Sequence, residues 1–448
     1  MTTRKLFIYL FLIAAGYLLI FSLTYKALEN PGIYNRFFSS FMPTYKNQDG
    51  AINLVKKPFV KITEGMYDGV DAEHYSYIKD NLYTIDPNDP ESNYNSGFFP
   101  LFPVVWKFFS GLGIITLNYF LHFVSIVLLA FAFCRNKILI ATITILALPT
   151  LTVFLLPYTE ALFMFSISIA LFGYKKKSNF LYVSGLIMAS ATRPIFLIFL
   201  GALLVTEIYQ YWRTKKTDFQ NLFLVAAVVT LTTFLVSIFQ STFHKGSLLS
   251  FMTVQKHWGT YFRIPEVISD WSLEGNGMNV WALAFCLFIG GTILIVAFLK
   301  KDSSNSNFDY WYYFSWIYLI GTCVYVLLFQ GGCLHSLYRY TLCLPFFYVI
   351  IFQHLNNTGT ISLGKRMALF TSFLAVCAVF FYNVNYAAKW DFCRLGFYLL
   401  SLNLLLFLFY DRINSRISFA GYAILILGGV LWNCFLYNMF FSKGWVFL

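Results

Sequence analysis

Residues 114–134 read IITLNYFLHFVSIVLLAFAFC, residues 135–137 read RNK, and residues 138–157 read ILIATITILALPTLTVFLLP. A helix through the first run is about 31 Å long, close to the thickness of a bilayer's hydrocarbon core. The second run predicts another span, and the cations between them mark the turn. Downstream, the same alternation predicts spans near 160–174, 219–243, 279–299, 309–330, 340–354, 367–385, 394–410 and 418–440. The run from Phe180 to Tyr211 is basic at both flanks and interrupted by Thr192-Arg193-Pro194. It predicts two shorter helices that enter and return, broken at Arg193-Pro194. Upstream, Arg4-Lys5 precede an apolar run, Leu6 to Phe21, that lacks a small-residue cleavage site and reads as a retained signal anchor with its N-terminus inside. The fold expected is an all-α polytopic membrane protein with about 12–13 transmembrane helices, the broken pair near 180–211 included.

Composition agrees. Hydrophobic residues make up 58% of the 448 residues and charged ones only 12%, and the mean hydropathy is +0.65. A soluble domain carries far more charged surface. The net charge of +12 is dispersed in short clusters between apolar runs, among them Lys175-Lys176-Lys177, Lys215-Lys216, Lys300-Lys301 and Lys365-Arg366. That is the positive-inside pattern, which marks the cytoplasmic face. No basic stripe with interleaved aromatics suggests nucleic acid. The eight cysteines lack metal-ligand spacing and read as apolar packing residues.

Four regions follow: an anchor at 1–28, a large loop at 29–113, a membrane core at 114–354 and C-terminal helices at 355–448. Residues 29–100 hold ten acids against six bases, with turn-formers such as Asn47-Gln48-Asp49-Gly50 and Asp86-Pro87-Asn88-Asp89-Pro90. The reversed charge bias puts this loop on the non-cytoplasmic side, and loops so long are usually functional. A second far-side loop spans 244–279, from His244 onward.

Five constellations gather on that side. Asp68-Gly69-Val70-Asp71-Ala72-Glu73-His74-Tyr75, with Ile78 and Tyr83, could be a solvated loop, but Tyr75, Ile78 and the aromatic tail predict instead an amphipathic interfacial helix that fixes its acids. Gly97-Phe98-Phe99-Pro100-Leu101-Phe102-Pro103 forms a rigid corner leading into the membrane core. Pro157-Tyr158-Thr159-Glu160 places an acid at the outer end of a span. Arg193 lies within an apolar run, where a charge is costly and marks either a functional site or an ion pair, with Glu160 as a candidate partner. His335-Ser336-Leu337-Tyr338-Arg339-Tyr340 puts Arg339 at the start of a span. A cation there opposes the helix dipole, which is explained if it meets an anion such as a lipid phosphate.

In this order the strings resemble the PIG-V-like branch of the GT-C glycosyltransferases, whose eukaryotic member is GPI mannosyltransferase II. Asp71, Tyr75, Ile78 and Tyr83 fit the family's first-loop spacing, with Val70 where the family has Trp. Phe98 to Pro103 matches its Phe-Phe-Pro-Leu-Tyr-Pro with Phe102 for Tyr. Tyr158-Thr159-Glu160 before Leu162-Phe163, Thr192-Arg193-Pro194, the set Ser250-Phe251, Gln255 and Trp258-Gly259, and Arg339-Tyr340 match further strings. The matches run from about 70 to 345, and the C-terminal hundred residues match poorly.

The resemblance implies inverting transfer of a sugar, usually mannose, from a polyprenyl-phosphate donor on the non-cytoplasmic side. Such a transfer needs a carboxylate to take the acceptor hydroxyl's proton and a cation to stabilise the leaving phosphate. Asp71 is the candidate base, with Asp68 and Glu73 behind it. Arg339 is the first candidate for the phosphate and Arg193 the second. Tyr75, Tyr158, Glu160, Gln255, His257, Trp258, His335 and Tyr340 are candidates for shaping the sugar and acceptor pocket. No cofactor is required, and although carboxylates crowd in the loop, no spacing demands a divalent metal. The acceptor is a glycan, a glycolipid or a protein hydroxyl. Short loops and the Lys, Asn, Ile and Phe bias favour a bacterial inner membrane over the endoplasmic reticulum. A flippase or transporter of a lipid-linked glycan is the competing reading, with a non-catalytic relative a third. A transporter predicts paired broken helices in two related halves, and only one break is visible.

Overall fold

Lipid offers no hydrogen-bond partners, so long uncharged runs satisfy their backbones by forming helices. The computed structural model describes residues 3–37, 44–47, 50–53, 59–85, 90–243, 248–270, 276–299, 309–357, 362–386 and 393–442. Gln48-Asp49, the turn-formers at 86–89, His244 and Lys300-Lys301 lie outside them.

The helices are α1 (Thr3–Leu28), α2 (Pro31–Phe37), α3 (Asp71–Asn81), α4 (Leu101–Trp106), α5 (Gly111–Phe133), α6 (Ile138–Leu146), α7 (Glu160–Lys175), α8 (Asn179–Thr192), α9 (Phe196–Thr214) and α10 (Phe219–Ser241). They continue as α11 (Ser250–His257), α12 (Asn276–Ala284), α13 (Gly291–Leu299), α14 (Tyr310–Phe329), α15 (Leu337–Thr341), α16 (Pro345–Asn357), α17 (Leu363–Asn383), α18 (Cys393–Phe409) and α19 (Ser415–Phe441). One π-helical turn, Phe285–Gly290, joins α12 to α13. The stretches Ile8–Leu28, Gly111–Phe133, Phe219–Ser241, Gly277–Leu299, Tyr310–Phe329, Leu363–Asn383 and Ser415–Phe441 are each long and apolar enough to cross a membrane. The chain is therefore an all-α polytopic membrane protein. The other expected spans fall on shorter helices. The expected break is present: α8 stops at Thr192, Arg193 is extended (φ −147, ψ 148), and α9 restarts at Phe196. Pro194 imposes this by excluding the helical conformation at the residue before it.

Two expected spans are corrected. The run 138–157 is not one helix, because α6 ends at Leu146 and a 3-10 turn covers Leu151–Leu155. Pro149 lacks an N–H and Pro157 closes the run. Irregular backbone at this depth survives only when protein satisfies it, and here asparagines do so. Asn433 Oδ1 accepts from Thr152 N at 3.1 Å and Thr152 Oγ1 at 2.6 Å. Asn118 Nδ2 donates to Leu156 O at 2.6 Å and Tyr158 O at 3.2 Å. The span near 340–354 likewise begins only at Pro345, and Arg339 sits on the separate short helix α15. Arg339 is therefore not at the N-terminus of a spanning helix, and the helix-dipole argument for an anion there does not apply.

Short strands pin the loops. Thr44–Asn47 pairs antiparallel with Gly50–Asn53. Ser269–Asp270 pairs in parallel with Asn385–Tyr386, and Ser269 also bridges to Cys333. That ladder ties the second loop and the α17–α18 connection to the turn before Arg339. The last helix closes the structure against the first loop: Asn438 Oδ1 accepts from Val60 N at 2.9 Å and Tyr25 OH at 3.3 Å.

Candidate functional site

A helix is present around Asp71 as expected: α3 buries Ala72, Tyr75 and Ile78 and leaves Asp71 partly exposed at its first position. It starts abruptly. Val70, the residue before Asp71, has φ 53 and ψ −130, a conformation that costs a β-branched residue on the order of 1–3 kcal/mol. Tyr75 inserts between the phenyl rings of Phe98 and Phe102, at 4.9 and 5.2 Å, and its hydroxyl lies 3.4 Å from Thr159 Oγ1. Burial raises the Tyr75 phenol well above its ordinary range, so it stays protonated. This anchor brings α3 to the start of α7, where Glu160 is 1% exposed.

Four charges meet there. Arg339 Nη2 is 2.7 Å from Asp71 Oδ2, and its Nε is 2.5 Å from Glu160 Oε1. Arg193 Nη2 is 2.9 Å from the same Glu160 oxygen. The chain Asp71–Arg339–Glu160–Arg193 is formally neutral and links the first loop, α7, the α8–α9 break and α15. Its outer members are reachable, with the Asp71 side chain 25% and the Arg193 side chain 17% exposed, whereas Arg339 is 2% exposed. The Arg339 guanidinium lies 4.4 Å from the centre of the Tyr158 ring and 5.8 Å from that of Tyr340. Arg193 lies 5.9 Å from the Phe163 ring. Desolvating four charges costs more than their attraction readily returns, so stability alone is a weak reason to build this network.

The turn before α15 is held by Leu334 N donating to Ser269 O at 2.7 Å and by Tyr338 N donating to Asn279 Oδ1 at 2.9 Å. Ser336 adopts φ 58 to enter the short helix. His335 sits in this turn. Burial first, and then the charge of Arg339, push its imidazole down to about 4, with Asp71 acting in the opposite direction.

A second, aromatic group adjoins the charges. The His74 ring stacks on Phe98 at 4.5 Å and lies 6.1 Å from Trp258, which is 5.4 Å from Phe98. His74 Nδ1 is 2.9 Å from Asn95 Oδ1, and Tyr94 stacks on His257 at 3.9 Å. Trp258 is 41% exposed. The rings line one wall beside Asp71, since His74 lies one helical turn from it on α3.

The structure thus brings together Asp71, Tyr75, Tyr158, Glu160, Arg193, His335, Arg339 and Tyr340, with Trp258 on the adjoining wall. His257 stands further out, on Tyr94, and Gln255 is half-buried in α11. Asp68 and Glu73 are exposed and form no ion pair among the described residues. Sequence reasoning gave His74 no role of its own and missed Asn95, Asn118, Asn279 and Asn433. The signal was available for the last three, as single amides in apolar runs. Among the described residues, no three His, Cys, Asp or Glu side chains are grouped so as to share a metal ion. No family model, curated protein or solved structure matches the chain.

Proposed function

We propose that the chain is an integral-membrane inverting glycosyltransferase of the GT-C type. It moves a sugar, mannose being the expectation from the resemblance, from a polyprenyl-phosphate donor to a hydroxyl of an acceptor on the non-cytoplasmic side. The observation that carries the reading is the Asp71–Arg339–Glu160–Arg193 chain, with a reachable carboxylate at one end and a reachable guanidinium at the other. The acceptor oxygen attacks the sugar's anomeric carbon and its proton passes to Asp71. The bond from that carbon to the phosphate oxygen breaks, and the electron pair leaves on the phosphate.

Exposure reorders the two arginines. Arg193 meets an incoming phosphate without dismantling the network, so it is the first contact. Arg339 follows as Asp71 swings off it toward the acceptor hydroxyl, which couples donor arrival to release of the base. The aromatic wall of His74, Phe98 and Trp258 suits the apolar face of an acceptor sugar ring. A donor anchored by a lipid tail explains a site placed among membrane helices.

The test is transfer of labelled mannose from a polyprenyl-phosphate donor by purified protein in lipid nanodiscs. Asp71→Asn keeps the shape and removes the proton acceptor, so turnover falls by roughly 10²–10⁴-fold while donor binding persists. Undiminished turnover in this variant overturns the assignment. No transfer from any polyprenyl-phosphate sugar overturns the function.

A further inference from the structure

We propose that His335 is a second contact for the anionic site at Arg339, specific for a phosphate monoester, and that it gains a proton when that anion binds. The inference rests on the reading of the Asp71 cluster as a lipid-phosphate site, and it concerns the product more than the donor.

The geometry is unusual for an imidazole. Both ring nitrogens of His335 are shut off from solvent, and neither has a hydrogen-bond partner among the described residues. A neutral imidazole presents one N–H and one lone pair, and buried polar atoms are nearly always satisfied. Its backbone is fixed by the Ser269 ladder on one side and by the Ser336 turn on the other, so the ring is held there rather than left over. One oxygen of Glu160, Oε2, is likewise buried and unpartnered. A buried imidazole with both nitrogens unpartnered, in the turn that leads to Arg339, describes a place built for a polar guest.

The charged groups around His335 are Arg339 on α15, four residues on, and Asp71 on α3, with Glu160 on α7 and Arg193 at the α8–α9 break behind them. While Arg339 outweighs Asp71, the ring stays neutral, held near 4 by burial and that charge. An arriving phosphate reverses the sign of the local field and favours the imidazolium.

The two lipid phosphates differ in charge. The sugar-bearing donor is a phosphodiester with one negative charge. When its sugar bond breaks, the electron pair stays on the phosphate and the product becomes a monoester with a second ionisation near pH 6. His335 takes one proton from solvent to match that added charge, while the acceptor's own proton is on Asp71. The site therefore grips the leaving group more tightly than the donor.

Isothermal titration of the full chain in nanodiscs tests this with farnesyl phosphate, run at pH 6.5 in two buffers of different ionisation enthalpy. A dialkyl phosphate monoanion and inorganic phosphate serve as the other two arms. Wild type is expected to take up at least half a proton more than His335→Gln on binding farnesyl phosphate. The Gln variant binds that monoester about tenfold more weakly and the dialkyl phosphate less than threefold more weakly. Proton uptake with inorganic phosphate assigns recognition to the phosphate itself, and uptake with farnesyl phosphate alone assigns it to a lipid-borne phosphate; both support the site. Equal proton uptake in the two proteins overturns the proposal, as does an equal loss of affinity for monoester and diester.

If His335→Gln does not fold, wild type decides. Its affinity for farnesyl phosphate must hold or tighten from pH 7.5 to 5.5, although the free ligand loses charge over that range. Weakening overturns the proposal. Proton uptake without any sugar transfer removes the transferase reading and leaves the phosphate site; transfer without a His335-dependent uptake does the reverse.

Discussion

The guanidinium of Arg339 stands 2.7 Å from the carboxylate of Asp71, joining the strained start of the first-loop helix to the turn that follows α14. Each group is held by its own short helix, and the two helices come from distant parts of the chain. Asp71 is aimed by the Val70 backbone and the Tyr75 anchor, and Arg339 by the Ser269 ladder and Asn279. The contact therefore reports on the assembly of the first loop with the turn before α15.

Glu160 holds both arginines through one oxygen. Glu160→Gln leaves Arg193 without its carboxylate and Arg339 with Asp71 alone. The folded state is expected to lose about 3–5 kcal/mol, the usual cost of removing one partner from a buried pair. Adding Arg193→Met should restore part of it. Thermal unfolding in detergent checks both, and an unshifted midpoint in the single variant contradicts the network.

Val70 is under strain. Val70→Gly removes the steric penalty of φ 53 at some cost in unfolded-chain entropy, for a net gain of about 1 kcal/mol. If the strain serves to aim Asp71, turnover drops severalfold while the melting temperature rises. A variant that gains both stability and turnover argues against that role.

Gly97 permits the aromatic wall. A Cβ there would come within 2.7 Å of the Trp258 ring and 2.9 Å of Val254. Gly97→Ala is expected to displace Trp258 and raise the acceptor KM about tenfold with little change in donor KM. Steady-state kinetics with each substrate varied in turn separates the two.

Acid should weaken the empty protein. The folded-state value of His335 lies below the ordinary 6.5, so the unfolded chain binds the extra proton first as pH falls. The contribution is fully present above about 6.5 and is lost progressively down to about 4, on the order of 2–3 kcal/mol at the end of that window. His335→Asn cannot titrate, so its midpoint changes less between pH 7 and 4.5. Parallel curves for the two proteins would contradict the burial of a neutral ring.

Much of this was visible in one dimension. Alternating apolar runs and cation clusters are a direct record of the bilayer, and Arg193-Pro194 announces its own break. Glu160 was a candidate partner for Arg193, and the two are joined. The interruption after Leu146 was harder to read, because Leu151 to Leu156 is as apolar as any span and only the asparagines of α5 and α19 make an irregular path tolerable there. Arg339 was expected to face a lipid anion from a helix start. Pro345 moves that start downstream, and the anions Arg339 meets are carboxylates from distant segments. His74 went unread because its meaning depends on Phe98 and Trp258, which only the folded loop brings to it.

Asn433 and Asn438 belong to α19, yet they secure Thr152 on the approach to Glu160 and Val60 in the first loop. During synthesis α19 leaves the ribosome after every segment it fastens. The supports of Thr152 and Val60 are therefore the last parts of the structure to be made, and a chain cut before Asn433 should reach the membrane with its earlier helices present and the approach to Glu160 unfastened.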